Sequence, residues 1–375
     1  MRYTVNSAEL YSHLQILDKV IVTKNSTTIE TCVLFEISGD TLNLRSTDKE
    51  ITLTSRITLT ESSGDSKFAV NASQFLEILK VIPEQPIVID IDTSSLQLTI
   101  NYQGGHIVLQ AENADEFPAL RVAEGEYVSF PAPTKALNIA LANAMVATST
   151  DEDRVLMQGI FFDITLEGFA IVASDGRKLV RTLIECETSD ITSSFVIPQK
   201  PTNIIRSILE KFDAVVNIST GTEGNATFDM GNFTMYCRLL AGNYPNYRKA
   251  IPQNNDRVAV VDRDSLVSAL RRALVIADKG TCLVKMLFDN DKVVITAENN
   301  NYAQSAEEQL VCQYDGMPIK IGFPGNYFYE LANRISSSEI IIKLSDPSRA
   351  GILLPSVQQE GTNLLMLVMP LLITN

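Results

Sequence analysis

The chain has 375 residues, and its formal charge of −14 at pH 7 makes it acidic overall. A chain of this length is expected to form two or three domains of about 100–150 residues each. Hydrophobic residues make up 45% of it, and no apolar run approaches the roughly 18–20 residues of a membrane-spanning helix. The composition predicts a soluble globular protein and excludes one whose whole surface is basic enough to bind nucleic acid.

The first residues and the cysteines indicate a reducing compartment. The opening MRYTVNSAEL lacks the basic segment and apolar stretch of a secretory signal, so we expect a cytoplasmic protein. Five cysteines are odd in number, widely spaced and without a CxxC pair: Cys32, Cys186, Cys237, Cys282 and Cys312. This pattern is typical of reduced thiols, not of a disulfide framework or a zinc site. His13 lies in an amphipathic segment, where we expect a surface or packing role.

In chain order, the predicted elements recur three times. Each third opens with a strand and then a helix whose apolar residues return every three or four positions. These are Leu10, Leu14, Leu17 and Ile21, then Leu137, Leu141 and Met145, then Leu266, Leu270 and Leu274. The predicted helix caps are Asn6, Thr134 and Asp264.

Strands and a second helix follow in each third. Alternating apolar residues predict strands around 42–44 and 51–53, 170–172 and 293–295. Second helices are predicted over 71–82, 202–212 and 326–335, with further strands at 87–91, 215–218 and 340–344. Each third therefore consists of two similar halves, a helix followed by antiparallel strands.

Two series of short motifs support a repeat of this length. Proline corners occur at Pro118, Pro245 and Pro370, which are 127 and 125 residues apart by subtraction. An acidic residue after a strand occurs at Asp48, Asp175 and Glu298, at intervals of 127 and 123. The agreement of the two periods favours three copies of one unit over ordinary mixed patterning.

The repeat predicts an α+β fold of three units. Each unit would pack two helices on antiparallel sheets, so that six helices lie on one side. The sheets would end in open edges, which proteins cover or pair. Head-to-tail dimerisation would close such edges into a ring. We place the domains at residues 1–123, 124–252 and 253–375.

Three segments resemble the beta subunit of bacterial DNA polymerase III, the beta sliding clamp. Residues 172–179, VASDGRKL, are similar to the family's VATDGHRL segment. Residues 239–252, LLAGNYPNYRKAIP, resemble its DGxFPDYRxVIP corner, and residues 368–372, VMPLL, resemble its C-terminal VMPMR tail. Each segment alone is a weak signal, but their order and spacing extend the resemblance over essentially the whole chain.

The resemblance implies a processivity factor without catalytic chemistry, metal or cofactor. Two chains would form a ring of six clamp domains, with helices inside and sheets outside, that encircles double-stranded DNA without reading its sequence. The implied partners are the clamp loader and DNA polymerases of replication, repair and translesion synthesis. Mismatch-repair and ligase proteins belong to the same set. All would dock short linear motifs in one pocket per chain, between the second and third domains.

The resemblance also implies which residues form this pocket. They are Met157, Ser174, Gly176, Arg177, Lys178, Leu179, Pro245, Lys249, Tyr327, Arg349, Gly351, Met369, Pro370, Leu371 and Leu372. Apolar walls and exposed backbone groups suit an extended peptide. Lys178 and Lys249 stand where relatives often have arginine, whose planar fork lysine lacks, and Thr281 replaces a larger rim residue. The apolar run 364–372 is equally typical of a closing core strand, and both roles are compatible.

Candidates for DNA and dimer contacts come from the same resemblance. The cations that would face the phosphates are Lys24, Lys80, Arg154, Lys200, Arg206, Arg271 and Arg272. A solvated charge without function is an equal alternative for each. In the dimer, the helix with Val275 and Ile276 would lie against the strand around Ile107 of the second chain.

Two other classes of function are weighed against the clamp. An enzyme would use Asp151, Glu152 and Asp153, or the repeated Asp48 and Asp175, as acid/base groups or metal ligands. Contiguous acids in a Ser/Thr-rich stretch are more typical of a solvated loop, and the sequence has neither a glycine-rich phosphate loop nor a nucleophile motif. A repeat scaffold that binds only proteins would share the fold without encircling DNA.

Overall fold

The structure is a computed structural model that describes residues 1–22, 27–120, 127–166, 168–186, 192–221 and 224–373. The chain divides into two compact units. The first comprises Met1–Lys135 and Lys200–Leu239, and the second comprises Ala136–Gln199 and Leu240–Asn375. The middle third of the chain therefore contributes to both units. Within the described ranges, no helix is long and apolar enough to cross a membrane.

The helices and strands follow the same order in each third of the chain, apart from one extra two-residue strand. The first third contains β1 (Arg2–Asn6), α1 (Ser7–Leu17), β2 (Cys32–Ser38), β3 (Thr41–Thr47), β4 (Ile51–Thr58), β5 (Glu61–Ser62), β6 (Ser66–Asn71), α2 (Ala72–Val81), β7 (Pro86–Asp92), β8 (Gln97–Tyr102) and β9 (Gly105–Gln110). The second contains β10 (Tyr127–Ala132), α3 (Thr134–Ala144), β11 (Ile160–Thr165), β12 (Gly168–Ser174), β13 (Lys178–Ile184), β14 (Ser193–Ile197), α4 (Gln199–Leu209), β15 (Val216–Gly221), β16 (Asn225–Met230) and β17 (Phe233–Arg238). The last contains β18 (Arg257–Asp262), α5 (Arg263–Ile276), β19 (Leu283–Asp289), β20 (Lys292–Asn299), β21 (Gln304–Tyr314), β22 (Ile319–Pro324), α6 (Gly325–Arg334), β23 (Glu339–Leu344), β24 (Gly351–Pro355) and β25 (Thr362–Val368). The predicted threefold repeat of two helix-and-strand halves is confirmed.

The sheets show how the halves are joined. The first unit contains a five-stranded sheet in the order β5-β1-β7-β8-β9 and an eight-stranded sheet in the order β10-β15-β16-β17-β4-β3-β2-β6. The second unit contains a twelve-stranded sheet in the order β14-β11-β12-β13-β25-β24-β23-β18-β21-β20-β19-β22. The strand before each helix pairs with strands of the other half, as β1 pairs with β7 and β6 with β2. The first strand of each half is thus part of the sheet that contains the remaining strands of the other half.

The first helix of each third buries the apolar stripe that its sequence predicts. Leu10, Leu14 and Leu17 are buried on α1, and Leu266 and Leu270 are buried on α5. The predicted stripes extend slightly too far, because Ile21 lies beyond the end of α1 and Met145 belongs to a 3-10 turn after α3.

The helix caps differ from prediction in two of three cases. Asn6 caps α1, since its side chain accepts hydrogen bonds from the N–H groups of Ala8 and Glu9. Asp264 was the wrong acid: Asp262 caps α5 by accepting from the Ser265 N–H at 2.8 Å. Thr134 is the first residue of α3, and its hydroxyl donates to the Ala214 carbonyl.

The start of α4 lies three residues earlier than predicted. The predicted range is 202–212, whereas the helix begins at Gln199, includes Pro201 and ends at Leu209. Proline is tolerated in the first turn, where its missing N–H has no intrahelical acceptor. The predicted bounds of α2 and α6 are each within one residue of those observed.

Two of the three repeated acidic residues, Asp48 and Asp175, close turns. Asp48 Oδ1 accepts from the N–H groups of Glu50 and Ile51 at 3.1 and 2.6 Å. Asp175 Oδ1 accepts from Arg177 and Lys178, both at 2.8 Å. A carboxylate that accepts two backbone N–H groups is the side chain that holds such a turn. The third acid of the series, Glu298, lies inside β20 and binds Lys285 at 2.9 Å, so the shared structural role covers Asp48 and Asp175 only.

The sequence allows either a surface or a packing role for His13, and the structure shows packing. The side chain is buried on α1, and its ring stacks on Phe233 with centroids 4.8 Å apart. The edge of Phe212 lies 5.2 Å away, and Nδ1 shares a 2.5 Å hydrogen bond with Ser55. Burial lowers the pKa of His13 from 6.5 to about 4, so the ring is neutral at pH 7.

We expect the buried His13 to make the protein less stable in mild acid. Because its folded pKa lies below the unfolded value, its contribution is fully present above pH 6.5 and is lost as the pH falls towards 4. Between pH 7 and pH 5, the free energy of unfolding should fall by about 1–2 kcal/mol more in the wild type than in His13→Gln. Urea unfolding at the two pH values measures this difference, and equal losses in both proteins would contradict it.

Candidate peptide-binding site

A cavity of about 140 Å³ lies in the second unit. Its walls come from the loop between β12 and β13, the 3-10 turn at Val155–Gln158, the corner at residues 244–250 and the end of β25. The lining residues are Met157, Ser174, Gly176, Arg177, Lys178, Leu179, Tyr244, Pro245, Asn246, Tyr247, Ala250, Leu367 and Met369. Most of these side chains are apolar or aromatic, which suits recognition of apolar groups.

The loop between β12 and β13 is held by its own hydrogen bonds. Asp175 accepts from two backbone N–H groups, and the Ser174 hydroxyl donates to the Lys178 carbonyl at 2.9 Å. Gly176 has φ +87°, and a Cβ at this position would lie 2.6 Å from Arg154 Nη1. Arg154 Nη1 also donates to the Asp175 carbonyl at 3.0 Å. The loop is therefore fixed before any ligand arrives.

The corner at residues 244–250 contributes two aromatic walls. Tyr244 stacks on Phe161 with ring centroids 4.6 Å apart and the rings nearly parallel. The Tyr247 hydroxyl donates to Asp163 Oδ2 at 2.8 Å, and Arg248 binds the same oxygen at 2.6 Å. Burial raises the pKa of Tyr244 to about 12. It also raises the pKa of Tyr247, so both rings keep their hydroxyl protons at neutral pH.

The end of β25 forms the remaining wall. Leu367 lies opposite Leu179 in the pairing of β25 with β13, and the Met369 N–H donates to the Arg177 carbonyl at 2.7 Å. Two residues on, the Leu371 N–H donates to the Gly322 carbonyl of β22 at 2.9 Å. Leu372 follows and is 81% exposed. The apolar tail is thus both a closing strand and a wall of the cavity.

Lys178 is a buried cation in the cavity wall. The residue is 6% exposed, and its Nζ lies 2.5 Å from Glu330 Oε2. The same Nζ lies 4.5 Å above the centroid of the Tyr327 ring. A buried ammonium group is costly unless it is paired, and here a carboxylate and an aromatic face both receive it.

The structure brings together more than half of the predicted pocket residues. Those that line the cavity are Met157, Ser174, Gly176, Arg177, Lys178, Leu179, Pro245 and Met369. The others lie outside its lining: Lys249, Tyr327, Arg349, Gly351, Pro370, Leu371 and Leu372. Of these, Tyr327 covers Lys178, Gly351 pairs with Val368, and Arg349 binds Asp346.

Sequence reasoning missed several lining residues. They are Tyr244, Asn246, Tyr247, Ala250 and Leu367. Four of them lie in the 239–252 motif, from which only Pro245 and Lys249 were predicted to line the pocket. Leu367 lies two residues before Met369, where the predicted part of the tail begins. Glu330 and Asp163 had no local signal, since each meets its partner across a long stretch of chain.

The predicted DNA-contacting cations differ in their surroundings. Lys24 lies outside the described residues. Four others bind carboxylates of the same chain: Lys200 with Asp48, Arg206 with Glu210, Arg272 with Glu308 and Arg154 with Asp151. Lys80 and Arg271 are exposed on α2 and α5. A carboxylate beside an arginine or lysine offsets the charge that a phosphate would meet.

A cleft in the first unit brings Lys80, a predicted DNA-contacting residue, together with two lysines that were not predicted. Lys19, Lys80 and Lys211 line it, and its volume is about 480 Å³. Lys19 donates to Ser207 at 2.5 Å, and Lys211 donates to Gln15 at 3.1 Å. Burial and the charge of Lys211 lower the pKa of Lys19. The carboxylates of Asp18 and Glu77 also line the cleft, so its positive charge is only partly offset.

Three of the acids considered for catalysis, Asp48, Asp151 and Asp175, are held in local contacts. Asp151 accepts from the Asp153 N–H at 3.1 Å and binds Arg154 at 3.3 Å. Asp48 and Asp175 close the turns described above. Within the described ranges, no group of three or more His, Cys, Asp or Glu side chains is placed to hold a metal ion.

These features define a class of protein: three repeats, each of two helices and paired antiparallel sheets, with a small cavity of mainly apolar and aromatic walls beside strand β25. Models of the three domains of the DNA polymerase III beta subunit match this sequence in order. The N-terminal domain matches residues 1–121, the central domain 132–246 and the C-terminal domain 248–370. The chain belongs to the family of the DNA polymerase III beta subunit. Its α+β fold is the three-domain clamp fold of that family.

Individual relatives agree with this assignment. The beta sliding clamp of Pseudomonas aeruginosa is 23% identical over 353 residues, which cover 94% of this chain and 95% of the relative. A solved structure of the Pseudomonas aeruginosa sliding clamp bound to griselimycin has a TM-score of 0.92 and 22% identity, with full coverage of both chains. The corresponding Bartonella birtlesii structure, also bound to griselimycin, has a TM-score of 0.88 and 25% identity, again with full coverage.

Proposed function

We propose that two copies of this chain close into a ring around duplex DNA and tether DNA polymerases and other motif-bearing proteins to it. The family is that of the DNA sliding clamps, and all three of its domains are matched here in order. That ordered match over nearly the whole chain is the observation that carries the proposal. The three domains proposed from the sequence, 1–123, 124–252 and 253–375, have boundaries close to those of the family models.

Two free sheet edges support head-to-tail closure. Among the described strands, β9 pairs with β8 alone, and residues 304–311 of β21 pair with β20 alone. Val108 on β9 is 48% exposed, and Val311 on β21 is 85% exposed. An open edge with apolar side chains is a site for pairing with another strand. We propose that β9 of one chain pairs with β21 of the other, which extends the predicted contact of Ile107 with Val275 and Ile276.

The dimer has a direct test. Light scattering of the wild type at micromolar concentration should give about twice the 41.3 kDa chain mass. Val275 is 68% exposed on α5, so Val275→Asp should leave the fold intact but bury a charge at the interface and give monomers. Val215, which is 70% exposed before β15, provides the matched control, and Val215→Asp should remain dimeric. A monomeric wild type, or equal masses for the two variants, would contradict the proposed interface.

The proposed DNA contacts are electrostatic and few. We propose that the lysine cleft formed by Lys19, Lys80 and Lys211 contacts phosphates, together with exposed Arg271. Phosphate contacts of this kind carry no base information, so the ring would slide without sequence preference. The candidates that bind carboxylates, such as Arg272 with Glu308, would contribute less. Lys24 remains a candidate for contact with phosphates on the basis of the resemblance alone.

We propose that the cavity is the docking site for the linear motifs of partner proteins. Its aromatic and apolar walls would receive leucine or phenylalanine side chains, and the adjoining tail offers backbone groups to an extended peptide. The proposed partners include the clamp loader, DNA polymerases and repair proteins, in the cytoplasm. The proposed role is one of binding without catalysis, and it agrees with the contacts of three candidate acids: Asp48 and Asp175 hold turns, and Asp151 binds Arg154.

A further inference from the structure

We propose that Glu330 determines which motifs the cavity accepts, by neutralising Lys178 so that the site selects uncharged apolar side chains over acidic ones. This inference rests on the proposed peptide site and adds a specificity-determining residue to it. Glu330 lies outside the cavity lining and would act through Lys178.

The geometry places the two charges together inside the wall. Lys178 begins β13, lines the cavity and is 6% exposed, while the Glu330 side chain on α6 remains 45% exposed. Tyr327 and Glu330 are three positions apart on the same helix, so they share one face. That face supplies both contacts of the Lys178 ammonium, the carboxylate at 2.5 Å and the ring at 4.5 Å.

The Lys178–Glu330 ion pair determines whether a ligand in the cavity meets a free positive charge. A cation with a carboxylate already at hydrogen-bond distance gains little from a second anion, and a ligand carboxylate would also be repelled by Glu330. The aliphatic stem of Lys178 still presents apolar surface to the cavity. An apolar side chain therefore needs no charge partner on entry, whereas an acidic one gives up hydration without gaining the Lys178 ammonium as a free partner. The exposed Arg177 of the lining is present in every variant compared below, so a change in preference reports on Lys178.

Replacing Glu330 should reverse this preference. In Glu330→Gln the ammonium keeps the ring but loses the carboxylate, which leaves a buried charge short of a partner. A peptide with an acidic residue beside its apolar anchor then has a cation to pair with. A charge-assisted hydrogen bond in a partly buried site justifies an expected shift of about tenfold or more in the affinity ratio of acidic to apolar peptide.

The experiment uses the full-length protein and two synthetic peptides. One carries a Leu/Phe clamp motif, and the other has the residue next to its apolar anchor changed to Glu. Fluorescence anisotropy at low and moderate salt gives both affinities for the wild type, Glu330→Gln and the matched control Glu339→Gln. Glu339 is an exposed carboxylate on β23 outside the cavity lining, so its loss changes net charge alone.

We expect Glu330→Gln to raise the ratio of the affinity for the acidic peptide to that for the apolar peptide, and we expect salt to reduce this increase. Glu339→Gln should give the same ratio as the wild type. Equal ratios in all three proteins would overturn the inference and leave the peptide site standing. A wild type that binds neither peptide would overturn the site and the inference together.

A second variant guards against a folding defect in Glu330→Gln. Lys178→Met removes the cation but keeps an apolar side chain of similar length, and the ratio of its affinities for the acidic and the apolar peptide is the reference for the double variant. Adding Glu330→Gln to Lys178→Met should then change the ratio no further, because the residue through which Glu330 acts is gone. A full effect of Glu330→Gln in the absence of Lys178 would show that the pair is not the cause.

Discussion

Protein loaded on a nicked circular plasmid should remain bound when the salt concentration is raised, and should leave once the plasmid is cut. Two chains carry a formal charge of −28, twice the −14 of one chain, so long-range forces oppose binding to phosphates. Any direct contact through the lysine cleft weakens with salt, with a log-log slope of about −0.9 per phosphate. Retention at high salt must then come from encirclement.

The measurement requires an ATP-driven clamp loader and a plasmid with one restriction site. Bound protein is followed by gel filtration before and after cleavage, at a salt concentration that removes direct contacts. Linear DNA with protein blocks on both ends is the control, because a ring should stay on it as on a circle. Equal retention on open-ended and circular DNA would rule out encirclement and favour a scaffold that binds DNA or proteins by surface contact.

The repeat could be predicted from sequence because its causes are local. Helix stripes such as Leu10 with Leu14 depend on spacing within one turn or two, and turn acids such as Asp175 act on N–H groups two and three residues away. The errors occurred where a local rule has an exception. Pro201 lies inside the first turn of α4, and Asp262 caps α5 in place of Asp264.

The pocket could be predicted only in part, because the residues that hold its lining side chains in place are distant in sequence. Lys178 was identified from a motif, but Glu330 lies 152 positions further along the chain. Tyr247 meets Asp163 across 84 positions. Neither partner has an unusual sequence neighbourhood. Glu330 reaches the site through the position of α6, and Asp163 through the place of β11 in the sheet beside β12.

The surroundings of the charged side chains were also beyond prediction from sequence. A sequence reveals that Arg206 and Arg272 are cations, and the i,i+4 spacing of Arg206 and Glu210 even suggests a pair. It does not reveal that Glu308 on β21 accepts hydrogen bonds from two nitrogens of Arg272 on α5, at 2.6 and 2.8 Å. Nor does it reveal that Lys19 and Lys211, far apart in sequence, line one cleft with Lys80.

Removal of residues 369–375 should abolish binding of a clamp-motif peptide while the protein stays folded and dimeric. The deletion takes away the Met369 wall of the cavity and its hydrogen bond to the Arg177 carbonyl. Strand β25 ends at Val368 and keeps its pairing with β13 and β24, so the sheet should survive. Loss of a buried anchor typically costs about 2–4 kcal/mol, which corresponds to an affinity loss of roughly 30-fold or more.

A shorter deletion separates the wall of the cavity from the tail beyond it. Removing residues 372–375 leaves Met369 in place and keeps the Leu371 hydrogen bond to Gly322, while Leu372, which it does remove, is 81% exposed. Peptide affinity should therefore change by less than about threefold, because exposed side chains at a rim contribute little. Isothermal titration of one peptide into both truncated proteins, with light scattering to verify the dimer, makes the comparison. Unchanged affinity after the longer deletion would place the peptide elsewhere, and equal losses after both would assign binding to the exposed end of the tail.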